Sequence, residues 1–165
     1  MAKMLIVYYS WARGNTERVA KLAQKATGAD IARIETAVPY TGSYDEVVEQ
    51  GEREVKAGFR PELKLLDVDL DDYDVVAVGT PTWWYTMAPA VSSFLSGQSW
   101  TGRTVVPFMT NGGWPGNVIR DMKAACSGAG FACEMQVQFD SEGGSELVTP
   151  KADLDAWCLR LSRLI

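Results

Sequence analysis

Three nearly continuous apolar runs, Met4–Tyr9, Asp74–Gly79 and Arg103–Thr110, set the tightest limit on what this chain can fold into. A run without alternation suits a strand covered on both faces, and such strands are typical of parallel sheets. Helical patterns separate the runs. Val19, Leu22, Ala23 and Ala26 share one face of a helix predicted over 15–27, with Gly28 placed to stop it. A short strand is expected near Ala29–Glu35. A mostly polar helix over 45–58 carries a narrow stripe of Val47, Val48 and Val55. Another helix carries Val91, Phe94 and Leu95 and closes at Gly97. A further one over 117–128 carries Val118, Ile119, Met122 and Cys126.

Phe131–Phe139 alternates, with Phe131, Cys133, Met135, Val137 and Phe139 on one side, as in a half-exposed edge strand. Thr149-Pro150 reads as the cap and first turn of a last helix burying Leu154, Trp157, Leu161 and Leu164. Pro107 has no N–H for a ladder, so a bulge is expected there. The alternation of strand and helix predicts an α/β fold: a mostly parallel sheet with helices on both faces. The 165 residues fit a single domain over 1–165.

In such sheets, ligands bind beyond the carboxyl ends of the strands. Three segments sit at that position, directly after strands. The first is Ser10-Trp11-Ala12-Arg13-Gly14-Asn15-Thr16, which opens a helix. A helix N-terminus offers unpaired N–H groups and the positive end of a dipole. Ser10, Asn15 and Thr16 add polar side chains, and Gly14 lets the backbone approach, a set suited to a phosphate. No Lys precedes Thr16 and Gly14 stands alone, so neither a nucleotide-hydrolysing P-loop nor a dinucleotide fingerprint is present. The second segment, Thr80-Pro81-Thr82-Trp83-Trp84-Tyr85, forms an aromatic wall for a flat ring. The third, Thr110-Asn111-Gly112-Gly113-Trp114-Pro115-Gly116-Asn117, bares backbone N–H groups toward a ring edge. Each alone could be a cap, a turn or core packing; their shared position argues for a site.

Composition narrows the partners. A net charge of −5 disfavours nucleic acid, and the longest apolar runs are too short to span a bilayer. No secretory leader is legible at the start, which leads us to expect a cytoplasmic protein. With no histidine and three cysteines outside any CxxC pair, reduced core thiols are expected rather than zinc ligands or a disulfide framework. The acidic run Asp67, Asp69, Asp71 and Asp72 reads as a solvated turn, and Trp100 and Trp157 as packing residues.

At these residues the sequence resembles the flavodoxin family, above all a bacterial branch with the pattern GxPxWWxxxPxxxxxFL. Gly79, Pro81, Trp83, Trp84, Pro89, Phe94 and Leu95 match it. Tyr44-Asp45-Glu46, Glu54 and Arg60-Pro61-Glu62-Leu63 resemble that branch too. The resemblance implies a flavodoxin-like, doubly wound, five-stranded parallel sheet of order 2-1-3-4-5 in a three-layer α/β/α arrangement, with FMN at its carboxyl edge. It implies that Ser10, Gly14, Asn15 and Thr16 hold the phosphate. Pro81, Thr82, Trp83, Trp84 and Tyr85 would flank the ring, and Asn111, Gly112 and Gly113 would line its pyrimidine side. Trp11, Arg13 and Thr110 complete the expected site.

Two departures stand out. Ala12-Arg13 makes the first loop one residue longer than is usual in the family. Tyr85 stands where the branch commonly has glycine, which eases a backbone flip near the flavin. The function implied is electron transfer through FMN, with redox proteins as partners and the chain a monomer or homodimer. The alternative is an NAD(P)H-dependent FMN or quinone reductase on the same fold. A module binding another phosphorylated ligand is a third reading.

Overall fold

The chain, as a computed structural model, is described over residues 2–165. Strand β1 (Met4–Tyr8) lies between β2 (Asp30–Arg33) and β3 (Val75–Trp83), both parallel to it. Next to β3 runs β5 (Thr104–Asn111), and beyond it β6 (Gly130–Phe131) and β7 (Met135–Gln138) share the edge. The order is therefore β2-β1-β3-β5-(β6, β7), with the short β4 (Thr86–Met87) folded back antiparallel on β3. Without that hairpin arm, and with β6 and β7 taken as one interrupted strand, this is the expected 2-1-3-4-5 arrangement.

Alternate residues of each strand feed opposite faces, because the side-chain period of a strand is two. Met4, Ile6, Tyr8, Val75, Ala77, Val106 and Phe108 meet α1 (Asn15–Thr27) and α5 (Lys151–Ser162). Leu5, Val7, Val76, Val78, Val105 and Met109 meet α3 (Pro89–Ser96) and α4 (Val118–Ala124). The double coverage explains why the central runs are apolar throughout. Gly28 caps α1 in the left-handed conformation and returns its N–H to the Gln24 carbonyl. Helix α2 (Tyr44–Ala57) buries only Val47 and Gly51, in keeping with its narrow stripe.

Pro107 does not bulge. It lies in unbroken register opposite Val78. Thr104 donates toward β3, so in this alternating ladder position 107 faces the opposite edge. There the partner strand gives way: β5 pairs Val105 with Phe131 but Phe108 with Met135, so one extra residue sits in the edge strand between them. The interruption centres on Cys133, at φ 52°. The missing N–H of Pro107 thus falls where no carbonyl needs it. This corrects the continuous edge strand expected over 131–139. The extra residue puts Phe131 out of phase with Met135, Val137 and Phe139: they join the core under α1 and α5, while Phe131 is exposed beside Lys123.

Two helix limits also differ from expectation. Thr149 does not cap α5; its hydroxyl accepts the Gln138 N–H (2.7 Å), and Pro150 occupies the cap position instead. Helix α4 stops at Ala124, after which Cys126 and Ala129 take the tighter turns that bond back three residues. Cys126 is buried, Cys133 and Cys158 are half-buried, and none is disulfide-bonded among the described residues. No helix among them is long and apolar enough to cross a membrane.

Candidate functional site

The parallel strands β1, β3, β5 and β7 end at one rim, and a cavity of about 350 Å³ opens there. All three segments singled out in the sequence reach it. Trp11, Arg13, Asn15 and Thr16 line one end; Pro81, Thr82, Trp83, Trp84 and Tyr85 form a wall; Thr110, Asn111 and Gly112 form the floor beside them. Ser10, Gly14 and Gly113 do not line it. The Ser10 hydroxyl is buried and accepts the Glu17 N–H (3.3 Å), so it serves the first turn of α1. Gly14 is the N-cap of α1 at φ 73°, and no side chain caps the helix there. Ala12, in the same loop, takes a left-handed φ of 62°.

The second segment is a strand and hairpin rather than a loop. β3 continues through Trp83, because Thr80 and Pro81 pair with Met109 and Thr110, and Thr82 and Trp83 pair with Met87 and Thr86. The turn is Trp84-Tyr85, at φ 51° and 68°. A two-residue hairpin with both residues left-handed normally calls for Asn-Gly. Bulky residues there are strained and persist only when their surroundings hold them. Here the Trp84 indole N–H donates to the Val48 carbonyl (2.8 Å), and the Asn117 N–H donates to the Tyr85 carbonyl (2.8 Å). The Thr86 hydroxyl donates to Asp121 (2.7 Å).

At the floor, the hydroxyls of Thr16 and Thr110 lie 2.8 Å apart, both buried, tying the first turn of α1 to the end of β5. Thr82 donates to the Thr110 carbonyl at 3.0 Å. Asn111 turns its side-chain oxygen to the Gly113 N–H (2.7 Å), so it shapes its own loop.

Two parts of the wall went unread in the sequence. One is the segment after β7, where Asp140, Gly143 and Gly144 line the cavity. Its signal was the same as in the other three: a Gly- and Ser-rich stretch directly after a strand. The other is α2, which contributes Tyr44, Val47, Val48 and Gly51. No local signal marks a helix face as cavity wall. Tyr44 stacks on Trp11 (5.7 Å between ring centres, 27° between planes).

Asp140 organises its loop by accepting the N–H groups of Glu142 (3.1 Å), Gly144 (2.8 Å) and Glu146 (2.9 Å). The bonds from Glu146 and Gly144 hold its carboxyl below the usual range, helped by that from Glu142 and by the charge of Arg13. A lowered folded-state value means that the charged form supports the loop above the ordinary carboxylate range. The support is lost as pH falls through the folded value. Acid should therefore loosen this wall, at a pH below the ordinary carboxylate range. A cavity ligand should be released there more steeply from the wild type than from Asp140→Asn, as read by ligand fluorescence during acid titration.

Chemically the cavity has two ends. Arg13 and the first-turn N–H groups of α1 that Ser10 leaves free make an anion-binding end. Trp83, Trp84, Tyr85 and Trp114 make an aromatic end for a flat ring. Between them, the side-chain nitrogen of Asn15 donates to the Gly144 carbonyl (2.9 Å), while its oxygen is buried with no partner. A buried acceptor left in this way costs roughly 1–3 kcal/mol unless a ligand hydroxyl or N–H satisfies it.

A family model described as Flavodoxin matches residues 3–135. Among solved structures, the chain is similar to a protein from Bacteroides eggerthii assigned as a flavoprotein. Identity is 29% and the TM-score 0.75, with 95% of this chain and 96% of that one covered. It is similar to another so assigned from Bacteroides uniformis, at 24% identity and TM-score 0.76, over 94% of this chain and 97% of that one. A flavoprotein from Lactobacillus acidophilus, solved in complex with FMN, shares the fold at 18% identity and TM-score 0.71, over 95% and 99%.

Proposed function

Because the chain belongs to the flavodoxin family, we propose that its cavity holds one FMN and that the protein carries electrons through it. The two-ended cavity is the observation that carries this reading. The N–H groups at the start of α1, with Arg13, would bind the phosphate. The unpartnered Asn15 oxygen would accept a ribityl hydroxyl. Trp83, Trp84 and Tyr85 would flank the ring, with Asn111 and Gly112 near its polar edge. The Lactobacillus relative, solved with FMN, supports the choice of ligand. Bound flavin supplies the electron storage. The chain's own work is to position the ring, exclude water from it and tune it electrostatically. Titration of the purified chain with FMN tests the reading; no saturable uptake would end it.

The phosphate end has its own test. The Thr16 hydroxyl is already paired with Thr110, so Thr16→Val would cost stability as well as binding. Arg13 is exposed and its removal disturbs no core. Arg13→Gln is expected to weaken FMN about fivefold, the scale of one solvent-exposed charge pair, and to leave riboflavin unchanged. Equal losses for both ligands in parallel titrations would place the phosphate elsewhere.

A reductase reading draws on the mouth of the cavity. Trp84, Tyr85 and Trp114 are 40%, 58% and 58% exposed, so a second flat molecule could reach the ring. In that case NADPH added to the holoprotein would bleach the flavin rapidly with no other reductase present. A carrier would stay coloured.

A further inference from the structure

Trp83 differs from the rest of the wall in the rings that surround it. Three aromatic rings meet it nearly edge-on: Tyr9 at 6.0 Å, Trp11 at 6.2 Å and Tyr40 at 5.0 Å between ring centres. Tyr40 does not line the cavity; its ring leads away from it, toward α2. There its hydroxyl donates to Glu54 Oε1 (2.6 Å), and the other carboxylate oxygen of Glu54 accepts from Gln50 (2.8 Å). The result is an unbroken series running from cavity wall to indole, phenol and carboxylate.

A phenol gives up an electron readily only if its O–H proton leaves with it, because the oxidised phenol is a strong acid. A base already hydrogen-bonded to the hydroxyl provides that path. Tyr9 lies farther from Trp83, at 6.0 Å against 5.0 Å, and although the Glu54 charge reaches its hydroxyl, the hydrogen bond to Glu54 belongs to Tyr40. Burial and the Glu54 charge hold the Tyr40 hydroxyl well above the usual phenol range, so at rest the proton stays on oxygen. It has reason to move only when the electron does.

We propose that Trp83, Tyr40 and Glu54 form a proton-coupled electron relay that refills the cavity wall when its occupant is photoexcited. The proposal rests on the FMN reading for its oxidant. Photoexcited flavin takes one electron from the Trp83 indole. Tyr40 returns one electron to Trp83. The Tyr40 O–H bond breaks, and its proton bonds to Glu54 Oε1. One electron has then entered the cavity, Tyr40 is a neutral radical and Glu54 is a neutral acid. Return of the electron and the proton restores both, and the excitation is discharged without lasting oxidation of the wall.

The test uses flash excitation of the holoprotein, read by transient absorption and electron paramagnetic resonance. Beside it, the ligand-free chain is oxidised by a photoexcited ruthenium complex with persulfate. Beside the background that the exposed Tyr44 and Tyr85 give with ruthenium, a neutral Tyr40 radical is expected in both arms, its signal missing in Tyr40→Phe and kept in Tyr9→Phe. In Glu54→Gln it should form roughly a hundredfold more slowly, the scale of a positioned base, and lose its solvent deuterium effect. Tyr40→Phe keeps the ring and its packing. A tyrosyl signal undiminished in Tyr40→Phe, or a Tyr40 radical that forms at the wild-type rate in Glu54→Gln, overturns the relay. If FMN is not taken up, the ruthenium arm still reads the relay. If FMN binds and the ruthenium arm yields no Tyr40 radical, the relay alone is lost.

Discussion

Gly79→Ala is expected to lower stability by about 3 kcal/mol, the upper part of the range for overpacked cores. For a chain of this size that is roughly 6–12 °C in melting temperature. Gly79 sits within β3, paired with Tyr8 on one side and Phe108 on the other. A Cβ there would lie 2.3 Å from Cε2 and Cζ of the Phe108 ring. That ring cannot swing away, since it is fully buried and packs on Trp157 at 5.3 Å. Sheet, α1 and α5 share this contact, so the loss should be global and cooperative. Phe108→Leu in the same chain should recover part of it, because the smaller side chain vacates the overlap. The pair would then be non-additive. Thermal unfolding of the two single variants and the double variant checks this; strict additivity would show that the ring is not what the new methyl meets.

Gly116→Ala should damage binding more than folding. A Cβ at Gly116 would lie 2.3 Å from the Tyr85 carbonyl oxygen and 2.6 Å from its Cα, and the site itself is left-handed at φ 54°. These neighbours are backbone, which has no rotamer to change. The hairpin tip must therefore lift, and with it go the Asn117 N–H bond to Tyr85 and the seating of Trp84 on Val48. Both tip residues line the cavity. A loss of roughly a hundredfold in FMN affinity is expected, about 2.7 kcal/mol. The fall in melting temperature should be smaller than for Gly79→Ala, because the tip is largely exposed. Tyr85→Gly is the companion variant. It relieves a left-handed residue while keeping the backbone path, so it should bind FMN and be no less stable than the wild type. Isothermal titration and melting curves on both separate a displaced wall from a lost side chain.

These two glycines illustrate what was legible beforehand. Gly79 ends an apolar run and reads as a strand residue preceding the aromatic segment, which it is. That the neighbouring strand lays a phenylalanine ring over it depends on register, and no local pattern encodes register between strands 29 residues apart in sequence. Gly116 reads as part of the third post-strand segment, where the next helix starts. Its closest neighbour, Tyr85, comes from a different post-strand segment. The edge strand shows the same limit from the other side. Its alternation was real, but the bulge at Cys133 answers a proline on the strand beside it, so the phase of Phe131 was decided by a partner.

The class of fold and the rim where the site lies follow from the order of residues alone. Unbroken apolar runs require two covered faces, and parallel strands deliver their following segments to one edge. Both facts are local or follow from chain direction alone. The rest follows from how the elements dock: α2 and the segment after β7 close the cavity, and Ser10 serves a helix turn. Docking alone makes Trp84-Tyr85 a clamped left-handed turn and brings Tyr40 to Glu54 beside Trp83. Those are meetings between residues far apart in the chain. Burial and hydrogen bonding select them collectively, once every element has docked.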